Sequence, residues 1–92
     1  MSEEKKIGQL RKRIDRIDRE IITLLSERVH HSAEIGRLKS HLGKPVIDEQ
    51  RESELARRIT ELAGQYDLDI ALVNSIWQLI LKESYRVQHV PK

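Results

Sequence analysis

Cysteine is absent from the chain, which excludes disulfides, thiolate metal sites and thiol nucleophiles. Phenylalanine is absent too, and one tryptophan and two tyrosines leave aromatic residues at 3%, so any core is aliphatic. Valine and threonine are few, and no stretch alternates apolar and polar residues as a half-buried strand would. No apolar run approaches the roughly 18–20 residues of a membrane span, and no signal peptide precedes the first helical stretch. A soluble, cytoplasmic protein with no membrane partner is the expectation. Charge of a single sign is also lacking: 17 Lys and Arg face 15 Asp and Glu, for a formal net charge of +2. Such dense mixing describes a solvated helical surface more than a nucleic-acid footprint, so no nucleic-acid partner is expected.

The 92 residues suit one domain, residues 1–92, with a core that is thin for a monomer. The pattern is all-α, with three helices. The first is predicted from about Glu4 to His41, stopping near Gly43, with Pro45 forbidding continuation. The second begins near Asp48 or Glu49 and shows apolar steps at Leu55, Ile59, Leu62 and Tyr66. Asp67-Leu68-Asp69 gives a turn with an acidic cap, and the third helix follows through Leu72, Val73, Ile76, Trp77, Leu79, Ile80 and Val87.

The first helix carries a stripe at alternating three- and four-residue steps: Ile7, Leu10, Ile14, Ile17, Ile21 and Leu24. Arg28 and His31 interrupt it before Ile35, Leu38 and Leu42 restore it. A helix of about 38 residues is roughly 57 Å long, whereas a compact domain of this size is only about 30 Å across. Two helices of about 20 residues cannot cover it unless they stack end to end. The stripe therefore calls for a second copy of the chain, as in a coiled coil, and predicts an intertwined helical homodimer. A kinked or shorter first helix in a monomeric bundle is the alternative.

Arg28 in an apolar seam is costly to desolvate unless an anion meets it, and no acid lies on the stripe to do so. Lys39 stands eleven residues on, about 20° around the helix and about 16 Å along it, with Ser32 and Ile35 between. Both cations thus point the same way and can converge on one small anion. Arg11 lies about 26 Å before Arg28 on another azimuth, so it serves the same ligand only from the other subunit. On the third helix Val73, Trp77 and Ile80 continue at four-residue steps into Ser84 and Gln88, which spacing alone reads as an end fraying into solvent. Asp48, Arg51 and Glu52 cluster at the start of the second helix, beside its positive dipole end. An N-cap carboxylate accounts for most of that cluster and leaves Arg51 open to a binding role.

Other chemistry finds little support. His30, His31, His41 and His89 show no HxxxH or HExxH spacing, so no metal is expected. There is no phosphate-binding glycine loop, and the serines lack a supporting His and Asp. Gly8, Gly36, Gly43 and Gly64 read as turn or close-packing positions. Arg11-Lys12-Arg13, followed by Asp15 and Asp18, reads as a solvated face. What remains is a cation-rich, cofactor-free pocket for a small polyanion in a helical dimer.

Leu10-Arg11, Ile14-Asp15, Ile17-Asp18, Leu24-Leu25-Ser26-Glu27-Arg28 and Ile35-Gly36-Arg37-Leu38-Lys39 together resemble the all-helical chorismate mutases. The segment Gly43-Lys44-Pro45-Val46-Ile47-Asp48-Glu49-Gln50-Arg51-Glu52 is similar to that family's Pro-Val-x-Asp loop leading into an Arg-Glu pair. Ser84 and Gln88 follow at the expected spacing, so the resemblance covers roughly residues 7 to 88. It implies the Claisen rearrangement of chorismate to prephenate on the way to Phe and Tyr, with no cofactor and no metal. In that reaction the ether bond lengthens before the new carbon–carbon bond is complete, and the ether oxygen gains negative charge. Fixed donors there stabilise the transition state more than the ground state.

By the family's pattern Lys39 and Gln88 are those donors. Arg28, with Arg11 from the partner subunit, clamps the two carboxylates over the ring. Arg51 adds positive field, Ser84 bonds the ring carboxylate, and Glu52 with the backbone at Asp48 accepts from the ring hydroxyl. Ile35 and Leu81 form apolar walls. Catalysis is thus expected of Lys39, Gln88, Arg28 and Glu52, and Gln88 donates across neutral pH where a Glu would first have to be protonated. His31 departs from the family's usual apolar residue, and Leu81 and Tyr85 are unusual beside the third-helix donors. An isochorismate-pyruvate lyase on the same scaffold is the nearest rival, against which the Asp48–Glu52 pair argues. A helical module for nucleic acid or a partner helix rests only on basic character and amphipathic helices.

Overall fold

The computed structural model describes residues 2–89. The expected domain of residues 1–92 also takes in Met1 and residues 90–92, which lie outside the described residues. Helices α1 (Glu3–Leu42), α2 (Glu49–Gln65) and α3 (Ile70–Gln88) follow in order, and no strand occurs among the described residues. The ends agree with the predicted ones to within about two residues. Among the described residues no helix is long and apolar enough to cross a membrane.

Each boundary has a local cause. At the start of α1 the Ser2 hydroxyl accepts from the Lys5 amide at 3.2 Å, beside acidic Glu3 and Glu4, which suits the helix dipole. The end of α1 is a Schellman motif. Gly43 takes φ 67°, Lys44 N–H donates to the Lys39 carbonyl at 2.8 Å, and Gly43 N–H to that of Ser40 at 3.3 Å. Glycine is favoured at this left-handed position because it lacks a Cβ. Asp48 then caps α2, its carboxylate accepting from Arg51 N–H at 3.1 Å. Asp69 caps α3 through Ala71 N–H at 3.0 Å.

The end of α2 repeats the Schellman pattern without glycine. Leu68 N–H reaches the Ala63 carbonyl at 2.9 Å and Asp67 N–H that of Gly64 at 3.3 Å, with Asp67 at φ 53°. An L residue is strained there, less so for Asp than for most. Asp67→Gly is expected to stabilise the fold by about 0.5–1 kcal/mol, net of glycine's greater unfolded-state entropy. A urea midpoint that rises with an unchanged slope would check it.

Two compact units divide the chain, one ending at His30 and the other beginning at His31. The first is the longer part of α1 alone. Its stripe residues Ile7, Leu10, Ile14, Ile17, Ile21 and Leu24 are between 47% and 62% exposed. The second contains the end of α1 and the α2–α3 hairpin. Glu52 on α2 meets Tyr85 on α3. Stepping from that contact at helical intervals gives Leu55, Ile59 and Ala63 on one helix and Leu81, Trp77 and Val73 on the other. Leu55, Ile59, Ala63 and Val73 are the buried core, with Trp77 and Leu81 packed against it. Tyr66 is not part of that apolar face, contrary to expectation: it caps α2 and is 73% exposed, because the helix ends before another turn can carry it inward. Gly8 and Gly64 lie within α1 and α2 and not in turns, and within the single chain a Cβ at either would meet nothing within 4 Å.

Candidate active site

Where spacing alone suggested a frayed end, the last two turns of α3 stay helical and bury one face, that of Ser84 and Gln88. Helix α3 runs through Gln88, and Ser84 and Gln88 are only 5% and 7% exposed. The reason lies on α1. Ser32, Gly36 and Lys39 are spaced four and three residues apart and so share a face, and that face meets Ser84 and Gln88. The Ser32 and Ser84 hydroxyls are hydrogen-bonded at 3.0 Å. Gly36 lets the helices come together, since a Cβ there would lie 2.5 Å from both the Gln88 Cα and its carbonyl oxygen. Two small residues facing a four-residue step on another helix were the sequence signal for this packing, and it is visible only once the partner helix is known.

Lys39 follows from that approach. Its ammonium donates to the Gln88 side-chain oxygen Oε1 at 2.9 Å and to the Val46 carbonyl at 2.6 Å. The second bond ties the segment after α1 back to the helix. An ammonium has three donors and no acceptor, so these bonds leave it one proton and fix which end of the Gln88 amide faces it. The Gln88 Nε2 group keeps its two protons for another acceptor. Lys39 and Gln88 therefore form a coupled pair of donors, one cationic and one neutral.

The start of α2 supplies the second group. The N-cap bond from Arg51 N–H holds Asp48, and the Glu52 amide closes the first helical turn on the Asp48 carbonyl at 3.0 Å. The Arg51 side chain is exposed and Glu52 is half-buried. The Tyr85 hydroxyl donates to Glu52 Oε1, a contact that sequence reasoning missed, although Tyr85 stood out as an unusual residue. Leu81 is half-buried against the core, and Ile35 is 47% exposed. Between these α3 residues Glu83 faces solvent, where a hydrogen bond from Arg86 (Nε to Oε1, 2.8 Å) holds its carboxyl below the usual range.

Of the expected site residues, the second unit contains Ile35, Lys39, Asp48, Arg51, Glu52, Leu81, Ser84 and Gln88. It joins Lys39 to Gln88 directly, and Ser84 to the same α1 face through Ser32. Arg11 and Arg28 belong to the first unit, Arg11 exposed and Arg28 half-buried. His31 is exposed as well.

The chain is 30% identical over 83 residues to a chorismate mutase of Methanocaldococcus jannaschii, covering 90% of this chain and 84% of that one. It is 32% identical over 88 residues to the bifunctional chorismate mutase/prephenate dehydratase of Escherichia coli K12. That match takes in 96% of this chain but only 23% of the longer enzyme. A solved structure, a conserved hypothetical protein from Pyrococcus furiosus, superposes with a TM-score of 0.73 at 37% identity, covering 91% of this chain and 96% of the other. The profile of the chorismate mutase type II family matches residues 10–89, and the chain belongs to that family.

Proposed function

We propose that this chain rearranges chorismate to prephenate, with Lys39 and Gln88 as the donors that meet the breaking ether oxygen. The observation carrying this reading is the Lys39–Gln88 bond, which leaves both groups with protons to give and orients the amide. In the rearrangement the ether carbon–oxygen bond breaks as a carbon–carbon bond forms within the same molecule, and six electrons shift around one ring of atoms. No proton, electron or group leaves, so the catalyst has only to fold the substrate and stabilise the charge that develops on the oxygen. Preorganised donors in a partly buried site do both.

The other roles belong to the same proposal. Arg28, with Arg11 of a second copy, clamps the substrate's two carboxylates, Arg51 adds positive field beside a carboxylate, and Ser84 bonds the ring carboxylate. Glu52 and the backbone at Asp48 accept from the ring hydroxyl, while Ile35 and Leu81 flank the ring. Arg11 reaches the site from a second copy. That copy covers the apolar stripe of α1, whose six isoleucine and leucine residues are 47% to 62% exposed in the single chain. An apolar row this long is a surface that soluble chains cover, and its heptad spacing fits another helix of the same sequence.

The test uses two variants, Arg11→Ala and Arg28→Ala, each expected to be inactive alone. In a mixed dimer one of the two sites would draw Arg28 from one chain and Arg11 from the other, both intact. With free exchange about half the dimers are mixed, so about a quarter of wild-type chorismate turnover should return. No recovery, with exchange demonstrated, would refute the shared site.

A further inference from the structure

Tyr85 enters the site through another residue. Its ring is half-buried on the α3 turn that also carries Ser84, and its hydroxyl donates to Glu52 Oε1. A glutamate side chain at the start of a helix has three rotatable bonds, and water competes for both of its oxygens. A hydrogen bond from a rigid phenol restricts those rotations and leaves Oε2 as the oxygen that remains open to a ligand donor. The contact spans 33 residues of sequence and joins the two hairpin helices above the core step of Leu55 and Leu81. The tyrosine is thereby anchored by the same packing that holds the hairpin together.

We propose that Tyr85 is a positioning residue that sets Glu52 for the hydroxyl of the substrate ring. This rests on the chorismate mutase reading given above. A contact to the ring hydroxyl is made in the bound substrate and in the transition state alike. Its loss therefore raises KM and leaves kcat nearly unchanged. The Tyr85 hydroxyl bears on the site through Glu52, to which it donates.

The experiment is a double-mutant cycle on the full chain with chorismate as substrate, comparing Tyr85→Phe, Glu52→Ala and the pair. Phenylalanine keeps the packed ring and removes the hydroxyl alone. Tyr85→Phe is expected to raise KM roughly tenfold, with kcat within about twofold, because Glu52 must then be ordered as the substrate binds. In the Glu52→Ala background, which has no side-chain acceptor, the same change should have almost no further effect. Equal losses in both backgrounds would overturn the proposal, as would a fall in kcat at constant KM. An increase in kcat/KM for Tyr85→Phe would do the same, since it would mean that the phenol competes with substrate for Glu52. An inactive wild-type chain would instead refute the mutase reading itself, so the two failures are distinct.

Discussion

Replacing Lys39 with alanine is expected to lower kcat about a hundred- to a thousandfold, the usual cost of one donor to a developing oxyanion. The expectation rests on two bonds. The ammonium holds the Gln88 amide oxygen at 2.9 Å and the Val46 carbonyl at 2.6 Å. Alanine therefore removes the cationic donor and also frees the neutral one to turn. It releases the segment between α1 and α2 as well, whose far end is Asp48. Because the lost interaction strengthens as the ether bond lengthens, the deficit should fall on kcat more than on KM. Steady-state kinetics on chorismate would check this. A loss confined to KM would place Lys39 among the carboxylate contacts and remove it from the ether oxygen.

Gly36→Ala is expected to damage both fold and activity although Gly36 touches no substrate. A methyl group would lie 2.5 Å from the Gln88 Cα and 2.8 Å from its carbonyl carbon, where ordinary carbon contacts begin near 3.5 Å. Both neighbours are backbone, so no rotamer change relieves the clash and the helices must part by about 1 Å. Overpacking of this kind costs about 1–3 kcal/mol, which outweighs alanine's helix-propensity advantage of about 1 kcal/mol. A displacement near 1 Å in a positioning group can cost about a hundredfold in turnover. Gly64 is the matched control. It also sits in a helix, but nothing lies within 4 Å of its added Cβ, so Gly64→Ala should stabilise the chain by up to about 1 kcal/mol. Thermal unfolding and kcat, measured for both variants, separate the effect of close approach from that of propensity.

The helices were legible because their signals are local. The heptad stripe, Pro45, the capping acids Asp48 and Asp69, and Gly43 each act within a few residues of where they stand. Lys39 was legible as a cation on the same side of α1 as Arg28, and the resemblance to the family named Lys39 and Gln88 as donors, yet their mutual bond joins residues 49 apart in sequence. Only the Gly36 approach brings them together. Ser84 and Gln88 show the limit most plainly. A hydroxyl and an amide at the end of a helix look the same whether they fray into water or meet another helix. What decides between these is a small residue on a different element. Tyr85 was visible as an odd residue, but its partner Glu52 lies across the hairpin, and no periodicity in either helix pairs them.

The most direct measurement is to incubate the purified, folded chain with chorismate and identify the product. Prephenate formed without release of pyruvate, at a rate that Lys39→Ala reduces at least a hundredfold, is the expected result. No turnover by a chain shown to be folded and dimeric, or pyruvate as a product, would contradict it.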